Sequence, residues 1–430
     1  MRLSALPYAP LALCLITSSC GSPPGSDATT GDEASAEVSG PKAPEETPPP
    51  AVKSSSLAVS TTPAPPSGLM MRAGTPPGAP TESFVTSTVV MLNWSDIQPT
   101  NASDAADWST LDAQLAALAK FDVQHVRLRI MSGGEAPTWV KRLGGPASGF
   151  YNGVTKAIDC SHTGQGDNYG GVAVQNIQGP AACVPFFWTG AYLDQYRSLM
   201  QLVDARLTSD PQKYGVVSTV VDSACMAVYA EVFYRGQSDG PTNETLFDAG
   251  LTHSADMSCQ ETAITIHRDV FGSSRRTSVA INDWDIVQGT PGPDRDYRTK
   301  VWYDGGATWA TYEFAEWARE QLTFGGGETL LEVQNNGLHS TGASCSSSGT
   351  GTTSYWCYIS QYPGRHGFQT QTYVRSPSGP SLTLLEDLDN GLALHAQYIE
   401  LPAGMSDEDW TLMGCYDTHL LQGDASPCPH

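Results

Sequence analysis

The chain has 430 residues, with 45 Asp plus Glu against 23 Lys plus Arg, for a formal net charge of −22. So acidic a chain cannot draw affinity from neutralising phosphates, which excludes nucleic acid as a partner. The charge serves mainly to keep the surface solvated.

The N-terminus has the parts of an export signal: Arg2, an apolar run from Leu3 to Ile16, then Thr17, Ser18 and Ser19 ahead of Cys20. It resembles a bacterial lipoprotein signal, which implies a lipid on Cys20, a new N-terminus there, and an outer-membrane or cell-surface address. Thr17 stands where leucine is usual, and Pro7 and Pro10 interrupt the run, so plain secretion is the alternative. No other segment has the roughly eighteen uninterrupted apolar residues that would span a bilayer. Residues 21 to 82 are rich in Pro, Ser, Thr, Ala and Gly. Such a segment buries too little apolar surface to offset its chain entropy, so a disordered tether is expected there. Residues 83 to 430 remain, about 350 in all, a length that suits one α/β domain of (β/α)8 barrel type with long loops.

Thr88-Val89-Val90-Met91-Leu92, ending in Asn93-Trp94, reads as a buried parallel strand. Asp107 is placed to cap a helix whose Leu111, Leu115, Leu118 and Ala119 share one face. The period then changes to two. In His125 to Met131, Val126, Leu128 and Ile130 alternate with Arg127 and Arg129. The apolar side should face helices, and buried arginines need acidic or hydrogen-bonding partners from other strands. In a closed barrel those partners converge, and the loop Ser132 to Trp139 lies on the catalytic rim. An arginine-bearing edge strand in an open sheet is the alternative.

Gly144 to Pro185 is irregular and glycine-rich. Thr189 to Leu207 is a helix with Tyr192, Tyr196, Leu199, Val203 and Leu207 on one face. Tyr214 to Asp222 is a β-branched strand, followed by Cys225 to Phe233. A helix from about Ser258 to Phe271 and a strand at Thr277 to Asn282 make another unit. Thr311 to Leu322 is helical, and Thr329 to Gln334, Gly367 to Tyr373 and His395 to Leu401 are strands. That makes seven strands where a barrel needs eight. The missing one lies before Val85 or inside the Gly144 to Pro185 insert.

Ten cysteines are present. Apart from Cys14 and Cys20, they form an even set, as expected of disulfides in an exported protein. Their order favours local pairs: Cys160 with Cys183, Cys225 with Cys259, Cys345 with Cys357, Cys415 with Cys428. Eight cysteines allow 105 pairings, so the order alone does not decide. The chain has no C-x-x-C spacing and no H-E-x-x-H, and His253, His267, His339, His366 and His395 are scattered, so no metal or cofactor is expected. Phe324-Gly325-Gly326-Gly327 lacks the Lys-Ser/Thr of a phosphate loop, and no G-x-S-x-G elbow occurs.

Three passages carry a resemblance: Asn93-Trp94-Ser95-Asp96-Ile97-Gln98-Pro99, Asp107-Trp108-Ser109-Thr110-Leu111-Asp112 and Pro137-Thr138-Trp139-Val140. Together they resemble a run in the retaining glycoside hydrolases of the large barrel clan, the β-galactosidase-like and cellulase-like members. The likeness covers about fifty residues well. It implies a barrel that hydrolyses a β-linked glycan with two carboxylic groups, one protonated and one ionised, about 5 Å apart.

In that clan the acid/base follows the fourth strand. Asp210-Pro211-Gln212-Lys213-Tyr214-Gly215-Val216 resembles the passage leading into it, and Glu231 is the first glutamate afterwards. Ala230-Glu231-Val232 stands where many members have Asn-Glu-Pro. The clan nucleophile follows the seventh strand, where this chain has Gln369 and Gln371, and a glutamine cannot attack as an anion. Glu332 and Glu400, in other strands, are the candidate anionic partners; each could equally be an ion-pair partner of Arg127 or Arg129. Asp222 and Asp283 are lesser candidates. Trp94, Trp139, Trp188, Tyr229, Trp284 and Trp356 fall at strand ends or in loops, where they could stack on sugar rings or pack in the core. With Arg129, Asn335 and Gln369 they make up the expected carbohydrate cleft of a monomer. A non-catalytic carbohydrate-binding barrel, or a barrel that only displays loops, are the other readings.

Overall fold

The computed structural model describes residues 64–72, 85–121, 123–144, 171–174, 182–233, 235, 246, 247, 249–282, 284, 307–338, 354–370, 382–402 and 407–429. The expected export signal, most of the expected tether, Cys20, Cys160, Asp283, Cys345 and Gln371 lie outside them.

The strands form one closed parallel barrel. In chain order they are Gly68–Met71, Ser87–Asn93, His125–Met131, Val217–Val221, Arg276–Ala280, Leu331–Leu338, Arg365–Thr370 and Tyr398–Glu400. All seven expected strands are present, and the chain is a (β/α)8 barrel. The first strand pairs Gly68 with Tyr398 and Met70 with Glu400 on one side, and Met70 with Ser87 on the other. This corrects the expected boundary at residue 83, because the barrel's first strand lies inside the stretch read as tether. Four residues are too short to show a two-residue period. Their burial comes from pairing at both edges, which only closure supplies. The strand is also pinned from outside, since Leu69 N–H donates to Asp417 Oδ1 at 2.7 Å. Gly68 turns there with φ +74, and a Cβ on it would sit 2.2 Å from the same oxygen.

Helices cover the outside. Gly190–Ser209 begins with Thr189 accepting from Tyr192 N–H and buries Tyr192, Tyr196, Leu199, Val203 and Leu207, the face expected from the sequence. His253–Phe271 starts five residues earlier than expected because Thr252 caps it. Ser109–Leu118 starts two residues after Asp107, whose Oδ1 accepts from Ser109 N–H at 2.8 Å. Leu382–Ala393 and Asp407–Gln422 are two further helices, beyond those expected from the residue pattern. Within the glycine-rich insert, Val172–Val174 and Ala182–Val184 form an antiparallel pair, which corrects its reading as wholly irregular.

Val126, Leu128 and Ile130 face the helices in the core, while Arg127 and Arg129 point into the barrel. Burying each large apolar side chain contributes roughly 1.5–3 kcal/mol. Disulfides join Cys225 to Cys259 and Cys415 to Cys428, as their order favours. Cys183 and Cys357 are also disulfide-bonded. No helix among the described residues is long and apolar enough to cross a membrane.

Candidate active site

The barrel interior is charged in two tiers. In the lower tier Arg127 Nη2 donates to Glu332 Oε2 at 3.0 Å, Thr219 Oγ1 donates to Glu332 Oε1 at 2.9 Å, and Arg276 closes on Glu332 at 3.7 Å. The Arg127 guanidinium lies 4.4 Å from the centre of the Tyr398 ring. That ring fits because Gly367 opposes it: a Cβ there would meet Tyr398 at 2.4 Å. Glu332 is fully buried and spent on these partners. The structure therefore places this candidate catalytic glutamate below the mouth, as the counterion of two arginines.

The upper tier is the site. Glu400, near the end of the eighth strand, accepts from Arg129 Nη2 at 2.9 Å and from Arg72 Nε at 3.1 Å. Gln334 Nε2 approaches it at 3.3 Å. With its amide nitrogen turned toward the carboxylate, Gln369 donates to Glu400 at 3.0 Å and accepts from Arg72 at 3.2 Å. Strand parallelism brings these side chains together, since each sits near the C-terminal end of its own strand, or just past it. Burial alone would raise the Glu400 carboxyl, but Arg129, Arg72 and Arg127 outweigh it and hold the group below its ordinary value.

Glu231 reaches the same mouth from the loop after the fourth strand. Burial pushes its carboxyl above the ordinary value, and Glu400 adds to the rise; a hydrogen bond from Asn336 and the charge of Arg129 oppose it without cancelling it. The loop is braced on every side. Tyr192 Oη donates to Ala224 O at 2.7 Å, Gly134 N–H to Ala227 O at 3.0 Å, and Gln260 Nε2 to Val232 O at 2.8 Å. The Cys225–Cys259 disulfide ties it to the helix His253–Phe271. Tyr229 lies in the same loop, partly buried.

Several expected binding residues belong to the core instead. Trp94 is fully buried, with Trp139, Tyr192 and Tyr196 at 6.1, 5.9 and 6.4 Å around it, so no sugar can stack on it. Trp139 donates to Gln98 O at 2.9 Å, and Trp188 packs on Phe187 at 5.0 Å. Asn335 points out of the barrel as a strut, donating to Ile281 O at 2.9 Å and accepting from Trp356 Nε1 at 3.0 Å. Trp284 is buried against Phe233 at 4.7 Å. Trp94, Trp284 and Trp356 are thus corrected as cleft aromatics, being buried between helices and barrel, while Trp139 and Trp188 are half-buried against the core. Asp222 is buried behind the fourth strand beside His267, not in the mouth.

The missing strand lies before Val85, one of the two places expected for it, but the residue pattern does not mark its position, and so it does not mark Arg72 either. The available signal was Leu69-Met70-Met71, the one run of three large apolar residues in the stretch 21 to 82. For metal binding, Cys415, His419 and Cys428 cluster among the described residues, but both sulfurs are in a disulfide and cannot ligate as thiolates.

Fold and site together define a closed (β/α)8 barrel with two carboxyl groups of opposite tendency at its C-terminal mouth. No protein-family model matches the chain, and no curated protein matches it in sequence. Among solved structures, a GH5_18 protein from Bifidobacterium longum subsp. longum is 12% identical, covering 80% of this chain and 67% of its own at TM-score 0.37. A GH5-4 broad specificity endoglucanase from an uncultured bacterium is 12% identical, with 79% of each chain covered at TM-score 0.34. A D-psicose 3-epimerase is 8% identical, covering 78% and 86% at TM-score 0.33. At that distance the likeness is one of barrel to barrel, and it assigns no reaction.

Proposed function

We propose that the chain is a glycoside hydrolase acting on a β-linked glycan, with Glu231 as general acid and Glu400 as its ionised partner. The observation that carries this reading is the opposite displacement of two carboxyls sharing one mouth: Glu231 raised, Glu400 lowered. Environments that push two such groups apart set out an acid and an anion. Glu231 protonates the glycosidic oxygen as its bond to the anomeric carbon breaks, while Glu400 faces the positive charge that develops at that carbon. The resemblance noted in the sequence agrees with the place of Glu231 after the fourth strand. The anomer first released tells whether Glu400 attacks the carbon itself or activates a water.

A second reading, a non-catalytic carbohydrate-binding barrel, is favoured by Gln369, which occupies the seventh-strand position where the clan has its nucleophile. The deciding experiment is hydrolysis of aryl β-glycosides and polysaccharides by the exported chain beside Glu231→Gln and Glu400→Gln. An active parent with both variants losing at least about a hundredfold supports the hydrolase, a range typical of general acid catalysis. An inactive parent that binds one of the glycans leaves the binding barrel.

We further propose export, with a lipid on Cys20 and residues 21 to about 67 as a tether lifting a monomeric barrel off the membrane. The Arg2 to Cys20 signature and the disulfides support an oxidising compartment. Metabolic labelling with a fatty acid, lost in Cys20→Ala, tests the anchor.

A further inference from the structure

The two arginines of the upper tier face a single ionised glutamate. Arg72 and Arg129 both pair with Glu400, while Glu231 contacts neither, so two cationic side chains share one carboxylate. Two arginines on one carboxylate stand out in a chain with 23 cationic residues and a net charge of −22, whose overall field repels anions. The arrangement is also directional. Arg129 is buried and gives both terminal nitrogens to Glu400. Arg72 is 19% exposed and uses Nε on Glu400 and Nη2 on the Thr370 carbonyl, at 2.7 Å. Its Nη1 has no acceptor among the described residues, so one prong of the guanidinium remains at the mouth. The amide beside it, Gln369, is neutral, and Glu231 acts on Arg72 by charge without contacting it. A planar guanidinium with an unused edge, fixed by its other nitrogens, is suited to bind a carboxylate.

We propose that this site takes a glycan containing a hexuronic acid, with Arg72 Nη1 donating to the sugar carboxylate in the subsite beside Glu400. In a hexuronic acid the carboxylate hangs from the ring carbon that flanks the ring oxygen, whose other neighbour is the anomeric carbon. A group that holds Glu400 against the anomeric carbon is therefore near enough to reach that carboxylate too. A substrate carboxylate pairs with the unused Arg72 edge, which a neutral hexose leaves unpaired and partly desolvated. This inference rests on the reading of the mouth as a glycan site, and the experiment separates the two.

Turnover of 4-nitrophenyl β-glucuronide and β-galacturonide is compared with that of the matching β-glucoside and β-galactoside, using the whole exported chain and Arg72→Gln. Free glucuronate and glucose are titrated calorimetrically into Glu231→Gln, with and without Arg72→Gln. The expected result is a kcat/KM ratio favouring uronides by about tenfold or more, the size of a lost charge-assisted hydrogen bond. Arg72→Gln collapses that ratio, chiefly through KM for the uronide. The ratio cancels any general damage to the site. Should Arg72→Gln not fold, Arg72→Lys carries the test: one ammonium cannot serve Glu400 and a substrate carboxylate with a fixed fork, and the ratio falls. If nothing is hydrolysed but glucuronate binds more tightly than glucose and loses that margin without Arg72, the inference stands and the hydrolase reading fails. Equal or greater preference for neutral sugars, binding of neither sugar, or a ratio indifferent to Arg72 overturns it.

Discussion

Arg129 on the third strand and Glu400 on the eighth meet across the barrel at 2.9 Å, both buried, and neither has a sequence neighbour that could replace the other. Arg129→Met leaves the carboxylate with Arg72 as its one remaining arginine contact. Breaking a buried pair from one side costs about 3–5 kcal/mol. Urea unfolding should therefore show Arg129→Met far less stable than the parent, and the double variant Arg129→Met/Glu400→Leu should recover part of the loss. Equal stability of parent and single variant would refute the pair's structural role.

The activity of the chain should depend on pH through the same mouth. Burial raises Glu231, so it releases its proton at a higher pH than an ordinary carboxyl, and the arginines lower Glu400, so it releases its proton at a lower one. The rate profile is expected to have an alkaline limb set by Glu231 and an acid limb set by Glu400. Arg72→Gln removes one of the charges that lowers Glu400, and it should move the acid limb upward. A limb that does not move under that substitution separates Glu400 from the titration.

Behind the fourth strand, His267 Nε2 lies 4.0 Å from Asp222 Oδ1, with the Tyr196 hydroxyl 3.0 Å from the same nitrogen. Burial raises Asp222 to about 7 and lowers His267 to about 3. Between pH about 4 and about 6.5 the folded cluster keeps the aspartate proton that the unfolded chain releases. Over the same range the unfolded histidine binds a proton that the folded one lacks, and the two contributions to the slope cancel. Asp222→Asn removes the first alone. Its stability relative to the parent should then rise with pH across that window, by about 1.4 kcal/mol per unit. Chemical denaturation at pH 4.5 and 6.5 measures it, and parallel curves would sink the idea.

The disulfide Cys225–Cys259 closes a sequence separation of 34, and the loop it closes carries Glu231. Loop entropy assigns it about 3–4 kcal/mol, against about 3 kcal/mol for Cys415–Cys428 with its separation of 13. Replacing Cys225 and Cys259 with serine should lower Tm slightly more than replacing Cys415 and Cys428. Its loss of turnover should be much larger, because of these two bridges it is the one whose loop carries a mouth residue. Equal losses of turnover in the two double variants would count against Glu231.

Residue patterns alone determined the barrel class. Seven of eight strands announced themselves by β-branched runs or a two-residue period, and Arg127 and Arg129 in an apolar strand required acids from elsewhere, which Glu332 and Glu400 supply. These are local signals: periodicity and the cost of burying a charge act within a few residues. The first strand, Gly68–Met71, had no such signal, because its stability comes from neighbours at both ends of the chain. With it went Arg72.

The tertiary structure alone decided which charged residues share a mouth and which are structural. Glu332 and Glu400 have the same sequence character, yet one lies a tier below the other, where Arg276 and Thr219 occupy its oxygens. Trp94, Trp356 and Asn335, read as cleft residues or cleft aromatics, turned out to fasten helices to strands. Direction into or out of a barrel depends on where closure sets each strand's register, and that is a property of all eight strands at once.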